Sequence, residues 1–224
     1  MSLPIAVATP VRTGVERATL VRRTYGLVFL SILVTVVGAA FGMSQPSLMA
    51  AVAQHYFITF LLVLASLLLV QWRAREFPVN IGLTFLFTFA EGVWLSPLLY
   101  LYNQTQPGVI GQAGILTVST FGALSLYAIF SRRDFSAWGS FFMIGLWVLI
   151  AASLLNMFFH NPTASLWLAA GTILVFGGLL VFDTWRIVRS GQYGQDDYVI
   201  AAVQIYLDLL NLFLAILRLL GRRR

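Results

Sequence analysis

The sequence predicts an all-α membrane protein, a polytopic bundle of about seven transmembrane helices. Hydrophobic residues make up 59% of the 224 residues and charged residues only 10%, which is typical of chains that cross a bilayer several times. Apolar stretches of about 20 residues recur along the chain, and each is long enough to span the hydrocarbon core. The connections between them are short, so we expect no separate soluble domain.

The predicted spans divide the chain into three regions. We expect a cytoplasmic amino-terminal tail over residues 1–24, a seven-helix transmembrane domain over 25–220 and a basic carboxyl-terminal tail over 221–224. No small-residue cleavage site precedes the first span, which is therefore expected to be a retained helix and not a signal peptide. In order, the spans are predicted at residues 25–42, 57–72, 80–102, 109–130, 137–159, 165–188 and 198–220.

The arginines indicate how the helices are oriented. By the positive-inside rule, arginines in the amino-terminal tail and in alternate loops place the amino terminus in the cytoplasm. Seven crossings then place Arg222, Arg223 and Arg224 outside, against the rule, yet we expect a full last span because residues 198–220 are long enough and the first helices usually dominate orientation. The net charge of +6 is confined to the ends of apolar segments, so nucleic acid is not an expected partner. The loop arginines are at positions 73 and 75, 132 and 133, and 186 and 189.

The residue inventory excludes several kinds of site. The chain has no cysteine, which excludes disulfides, thiolate metal sites and cysteine nucleophiles. Its two histidines, His55 and His160, lie far apart near predicted loops, where an interfacial position is favoured over metal ligation. We therefore expect no cofactor.

Three of the eight acidic residues, Glu91, Asp183 and Asp208, lie inside predicted spans. A carboxylate near the bilayer centre costs about 2.5 to 3.5 kcal/mol, so each implies a partner, protonation or access to water. At a rise of about 1.5 Å per residue, Asp183, Asp208 and Glu91 lie about 9, 15 and 20 Å from the cytoplasmic boundary. The two aspartates differ by about one helical turn in depth, and the short loop between the last two spans favours neighbouring helices, so the two carboxylates can meet.

Polar neighbours place these acids on inward helix faces. On the last span Gln204, Asp208 and Asn211 share one stripe, and on the third span two threonines precede Glu91 at similar spacing. Two uses remain open for the acids: protonated hydrogen-bonding links between helices, or an ion or proton site.

Three stretches of the predicted spans are distinctive: FTFAEGVWLSPLL on the third span, FDTWRIV at the end of the sixth and IYLDLLNLFLAILRLLG on the last. They resemble the Bax-inhibitor family, also called transmembrane Bax inhibitor motif proteins, and the likeness extends over nearly the whole chain. The resemblance implies a seven-helix bundle with the last helix at its centre and, for a bacterial member, a pH-sensitive calcium leak channel. It also implies that an aspartate pair from the last two helices is the pH sensor, at positions that match Asp183 and Asp208. Trp185 stands where many relatives have a polar residue.

The chemistry of the aspartates agrees with this expectation. Two carboxylates in a low-dielectric site cannot both ionise cheaply, so one keeps a proton that is released only near neutral pH. Its loss creates a negative site, and because calcium prefers about 6 to 8 oxygen ligands, Asp183 and Asp208 form a weak, transient metal site with waters and carbonyls. We further expect Glu91 to be a candidate for the ion path and Arg73 or Arg75 to be a candidate latch that holds Asp183 in the closed state.

Two other classes of function remain in view. A non-conducting membrane regulator is the alternative, because the family is linked to cell-death control in eukaryotes and to a membrane protease in bacteria, which makes such a protease or another membrane protein a candidate partner. An intramembrane aspartyl protease is disfavoured, since the GxGD context is absent around both aspartates, and we expect no enzyme activity. The other expected partners are the lipid bilayer, calcium and protons, and the arginine-only, loop-poor chain favours the bacterial inner membrane.

Overall fold

The structure, a computed structural model, describes residues 14–221. Over this range the chain is almost entirely helical and contains no strand. A π-helical turn (Arg186–Ser190) extends α7, and a 3₁₀ turn (Gln195–Asp197) precedes α8. The α-helices are α1 (Gly14–Ser44), α2 (Pro46–Gln54), α3 (Tyr56–Trp72), α4 (Val79–Thr105), α5 (Val109–Phe130), α6 (Ser136–Phe159), α7 (Pro162–Trp185) and α8 (Tyr198–Leu220).

Six of the described helices are long and apolar enough to cross a membrane: α1, α4, α5, α6, α7 with its π turn, and α8 with the preceding 3₁₀ turn. Helices α2 and α3 qualify as a seventh span only together, and they are bent by 96° at His55. The 17 residues of α3 extend about 26 Å, close to the thickness of the hydrocarbon core of about 30 Å. The predicted all-α membrane bundle is confirmed.

Two boundaries differ from the sequence prediction. Helix α1 begins at Gly14, so residues 14–24 of the predicted tail form about three helical turns. Residues 44–56, predicted as a loop, contain α2, which starts with Pro46 at a first-turn position where proline is favoured. The rest of the predicted amino-terminal tail and the three terminal arginines lie outside the described residues.

Helix α8 lies at the centre of the bundle, as the family resemblance implies. In its apolar stretch 61% of residues are buried, against 0% to 39% in the other single-helix spans. It packs against α1, α4, α5 and α7, and its buried alanines Ala201, Ala202 and Ala215 allow close approach. Side chains on α8 are therefore shielded from lipid on most of its circumference.

Glycines bring α1 and α4 into close contact. A Cβ atom on Gly38 would collide with the backbone carbonyl of Phe89, and one on Gly92 would collide with the carbonyl of Thr35. Gly42, one turn after Gly38, lies in the same crossing, where it faces Ser96. The backbones of α1 and α4 can approach because Gly38, Gly42 and Gly92 carry no side chain.

The two ends of α8 lie at opposite ends of the bundle. At its start, the Asp197 carboxylate accepts a hydrogen bond from Arg75 Nε at 2.8 Å, and Arg23 lies 5.8 Å from the centre of the Tyr198 ring. At its end, the side chain of Gln106 donates to the carbonyl of Gly221. We call the end of the bundle at which α8 starts the arginine-rich end. Helix α8 therefore runs the full length of the bundle.

Candidate functional site

Helices α7 and α8 bring Asp183 and Asp208 together, and we call these residues the aspartate pair. Their carboxyl groups interact directly, and the residues are only 8% and 5% exposed. The contact follows from the antiparallel packing of the two helices. Because the π turn continues α7 to Ser190, Asp183 lies about two turns and Asp208 about three turns from the arginine-rich end.

The hydrogen bonding of the aspartate pair is incomplete. Oδ1 of Asp183 accepts a hydrogen bond from Nη1 of Arg186 at 3.1 Å. Oδ2 of Asp208 is buried and has no hydrogen-bond donor within the described part of the chain. An unpaired buried carboxylate oxygen is costly, whereas a proton held between the two carboxyl groups would satisfy both.

Polar residues cover the aspartate pair at the arginine-rich end, and we call the segment of residues 186–197 the cap. Arg186 donates from Nε to Gln192 at 3.1 Å and lies 5.0 Å from the centre of the Tyr193 ring. The hydroxyl of Tyr193 donates to Oε1 of Gln204, one turn before Asp208 on α8. Burial raises the pKa of Tyr193 to about 12, so its phenol remains a hydrogen-bond donor at neutral pH.

An ion pair holds the cap against the connection between α3 and α4. Asp197 is 7% exposed and accepts hydrogen bonds from Arg75 Nε at 2.8 Å and from the backbone N–H of Gly194 at 2.7 Å. The Arg75 side chain is 72% exposed, and ion pairs with one exposed partner contribute about 1 kcal/mol or less. The contact therefore positions the cap without locking it.

Glu91 lies in a separate buried region on α4. The residue is 8% exposed, and Thr84 and Thr88 on the same face are fully buried. Its electrostatic neighbours include Tyr56 and Tyr206. The Tyr206 hydroxyl forms a 2.7 Å hydrogen bond with Thr35, so this region joins α1, α4 and α8.

Comparison with known proteins agrees with this architecture. The family model described as "Inhibitor of apoptosis-promoting Bax1" matches residues 17–224. The chain belongs to the Bax-inhibitor family. An uncharacterised protein of Campylobacter jejuni is 35% identical over 208 residues, which is 92% of this chain and 89% of the relative. Protein lifeguard 4 of Mus musculus is 31% identical over 207 residues, 91% of this chain and 85% of the relative. A Golgi anti-apoptotic protein of Vaccinia virus is 37% identical over 146 residues, 65% of this chain and 60% of the relative.

In this Bax-inhibitor protein the arginines predicted to latch Asp183 form ion pairs elsewhere. Arg73 pairs with Glu76 at 2.6 Å, and Arg75 pairs with Asp197. The arginine beside Asp183 is Arg186, three residues further along the same chain segment. For this conformation the latch prediction is corrected, because α3 ends beside the cap and not beside the aspartate pair.

Sequence reasoning therefore missed two residues of the site. Arg186 was interpreted only as a loop arginine that sets orientation, although its i,i+3 spacing from Asp183 is a signal for a side-chain pair on a helix. Asp197 lies between the last two predicted spans, and no sequence signal distinguishes it from its neighbour Asp196. Residues 14–221 contain no group of three or more His, Cys, Asp or Glu side chains that could hold a metal ion.

Proposed function

We propose that this integral membrane protein is a pH-gated cation leak, with calcium as the permeant ion and the aspartate pair as its pH sensor. The observation that carries the proposal is the buried contact between the two carboxyl groups, in which Oδ2 of Asp208 lacks a donor among the described residues. Two carboxyl groups in contact favour a shared proton, and that proton is released as a coupled titration.

The charges around the pair favour a neutral closed state. Arg186 stabilises the charged form of Asp183, so Asp208 is the member that carries the proton. The charges of one carboxylate, one guanidinium and one protonated carboxyl group sum to zero. Loss of the proton leaves a net negative charge in a buried site, which is costly unless the helices separate or a cation and water enter.

Calcium fits the oxygen chemistry of the aspartate pair. The ion takes about 6 to 8 oxygen ligands, of which two carboxylates supply only a part, so waters and carbonyls would complete its shell. Such weak binding suits an ion in transit, and Glu91 is the candidate for a second oxygen site along the path. Beyond Asp208, away from the arginine-rich end, the buried face of α8 carries the apolar residues Leu212 and Ile216, which leave no polar path for an ion along this face. We therefore assign this conformation to the closed state.

Calcium flux into liposomes tests the proposal. Purified protein is reconstituted with a calcium-sensitive dye inside, and uptake is measured from pH 6 to pH 8 against protein-free liposomes. We expect flux that rises with pH, because proton loss opens the contact. Flux at the protein-free level throughout would reject the channel.

The alternative is a non-conducting regulator, which the names of two relatives favour: a Golgi anti-apoptotic protein and a lifeguard protein. In a regulator the same proton would change the affinity for a partner protein, for which a membrane protease is a candidate, without ion flux. Pull-down of such a partner that depends on pH, from a protein that conducts no calcium, would establish this alternative. For either function we place the protein in the inner membrane of a bacterium and expect no enzyme activity.

A further inference from the structure

A groove of about 600 Å³ opens at the arginine-rich end between α1, α4 and the start of α8. Its rim carries Arg22 and Arg23. Below the rim its walls are apolar and include Leu30, Phe77 and Ile81. Leu30 and Phe77 are exposed, so the apolar part of the groove is open at the side of the bundle.

The two rim arginines differ from three other arginines at this end, which are held in ion pairs. Arg73, Arg75 and Arg186 each pair with a carboxylate of the chain. Arg22 and Arg23 are exposed, and within residues 14–221 neither forms an ion pair. Each guanidinium offers five N–H donors, so the rim can bind an anion from outside the chain.

One acidic residue also reaches the rim. Asp196 lines the groove together with Tyr198, whose ring lies beneath Arg23. With two arginines and one aspartate, the rim keeps a net positive charge. An anion is therefore expected on the α1 side of the groove, beside the arginines and away from Asp196.

Along the membrane normal, the charged and apolar residues of the groove follow one another in the same order as the headgroup and acyl chains of a phospholipid. Arg22 and Arg23 lie on α1 just before the apolar stretch that begins at Tyr25, which is the level of the lipid headgroups. Gly26 and Leu30 follow within about two helical turns, so the groove descends from the headgroup level into the hydrocarbon. Basic pockets between membrane helices on the cytoplasmic side are suited to anionic headgroups.

We propose that this groove binds an anionic phospholipid, with the phosphate at Arg22 and Arg23 and an acyl chain along Leu30 and Phe77. The site is distinct from the aspartate pair. Its occupancy does not depend on whether the protein conducts ions.

Lipid binding to the purified full-length protein tests the charged rim. The delipidated protein in detergent is titrated with phosphatidylglycerol or phosphatidylcholine, and bound lipid is counted by native mass spectrometry. Each arginine contributes about fivefold to the affinity for an anionic lipid, so Arg22→Gln with Arg23→Gln should weaken phosphatidylglycerol binding tenfold or more and should weaken the binding of phosphatidylcholine, which has no net charge, much less. The matched control is Arg132→Gln with Arg133→Gln, two adjacent exposed arginines of another loop, which should bind like the wild type.

A second variant tests the apolar part while both arginines stay. A Cβ atom on Gly26 meets no atom within 4 Å, so the ring of Gly26→Phe can fill the groove without displacing the protein. We expect severalfold weaker phosphatidylglycerol binding, whereas Gly111→Phe, at an equally open position on α5, should have no effect. A native thermal midpoint shows that each variant is folded.

Three results would overturn the proposal. The first is equal binding of the two lipids by the wild type. The second is wild-type phosphatidylglycerol binding by the arginine double variant or by Gly26→Phe. The third is full displacement of phosphatidylglycerol by millimolar inorganic phosphate, which would assign the rim to a free anion.

Discussion

Replacing Asp208 with asparagine tests the shared proton most directly. Asparagine keeps the size of the side chain and its ability to form hydrogen bonds, but it cannot ionise. The remaining carboxylate of Asp183 is already paired with Arg186, so the site stays neutral at every pH near 7. We expect Asp208→Asn to abolish the pH dependence of calcium flux between about pH 6 and pH 8.

The repulsion between two carboxylates in contact sets the size of this effect. Two like charges about 4 Å apart repel by about 4 kcal/mol at an effective dielectric constant of about 20. This repulsion opposes ionisation of the second carboxyl group, so the flux transition moves upward from the acid range of an ordinary aspartate toward neutral pH, and removing one carboxylate removes this cause of the shift.

The assay compares the wild type, Asp208→Asn, Asp183→Asn and the double variant in calcium-flux liposomes, with internal and external pH set separately. The double variant should add little to either single variant, because both substitutions act on one coupled titration. Thermal stability in detergent gives a second readout. The shared proton stabilises the closed packing at low pH, so wild-type stability should fall as pH rises from about 4, where a free aspartate ionises, toward neutral pH, with a slope of at most about 1.4 kcal/mol per pH unit, and Asp208→Asn should be flatter over this range.

Two outcomes would refute this reasoning. One is wild-type flux that does not change with pH. The other is a single variant that folds and keeps the wild-type pH profile. Either result would leave Asp208 as a hydrogen-bonding link between α7 and α8 and would favour the regulator.

Three further predictions concern other parts of the bundle. Glu91→Gln should reduce calcium flux at an unchanged thermal midpoint if Glu91 lies on the ion path, whereas normal flux with lower stability would make it a structural brace. Gly38→Leu should destabilise the protein by about 1 to 3 kcal/mol in detergent unfolding, because the side chain collides with the Phe89 carbonyl, while Gly82→Ala at an open helical position should be neutral or slightly stabilising. Reporter fusions should place the amino terminus in the cytoplasm and the carboxyl terminus outside, and two cytoplasmic termini would contradict the full crossing of α8.

Hydropathy located the membrane helices but not their ends. The method detects apolar segments, and a helix that continues into water keeps its backbone hydrogen bonds without staying apolar. Helix α1 therefore extends from Gly14 through three arginines, although its apolar stretch begins only at Tyr25. Helix α2 was missed for a related reason: with only nine residues before the 96° bend, it is too short to be a span.

The contact between Asp183 and Asp208 could be predicted because depth along a straight helix is simple arithmetic. The partner of Arg75 could not, because it depends on how the chain folds between α7 and α8. The cap buries Asp197 beside Arg75. Loop geometry of this kind leaves no periodic pattern in a sequence.

The structure also indicates which compartment the aspartate pair would sense. Toward the arginine-rich end the pair is covered by the cap. The cap is held by the Arg75–Asp197 ion pair, worth about 1 kcal/mol or less because the Arg75 side chain is largely exposed, and by the hydrogen bond from Tyr193 to Gln204, worth about 1 kcal/mol. Toward the other end, about three turns of α8 with buried Leu212 and Ile216 separate Asp208 from water. Opening the cap costs far less than hydrating this apolar length of helix, so protons should exchange through the cap. If that end faces the cytoplasm, as the arginines predict, the flux transition follows cytoplasmic pH and ignores the pH outside.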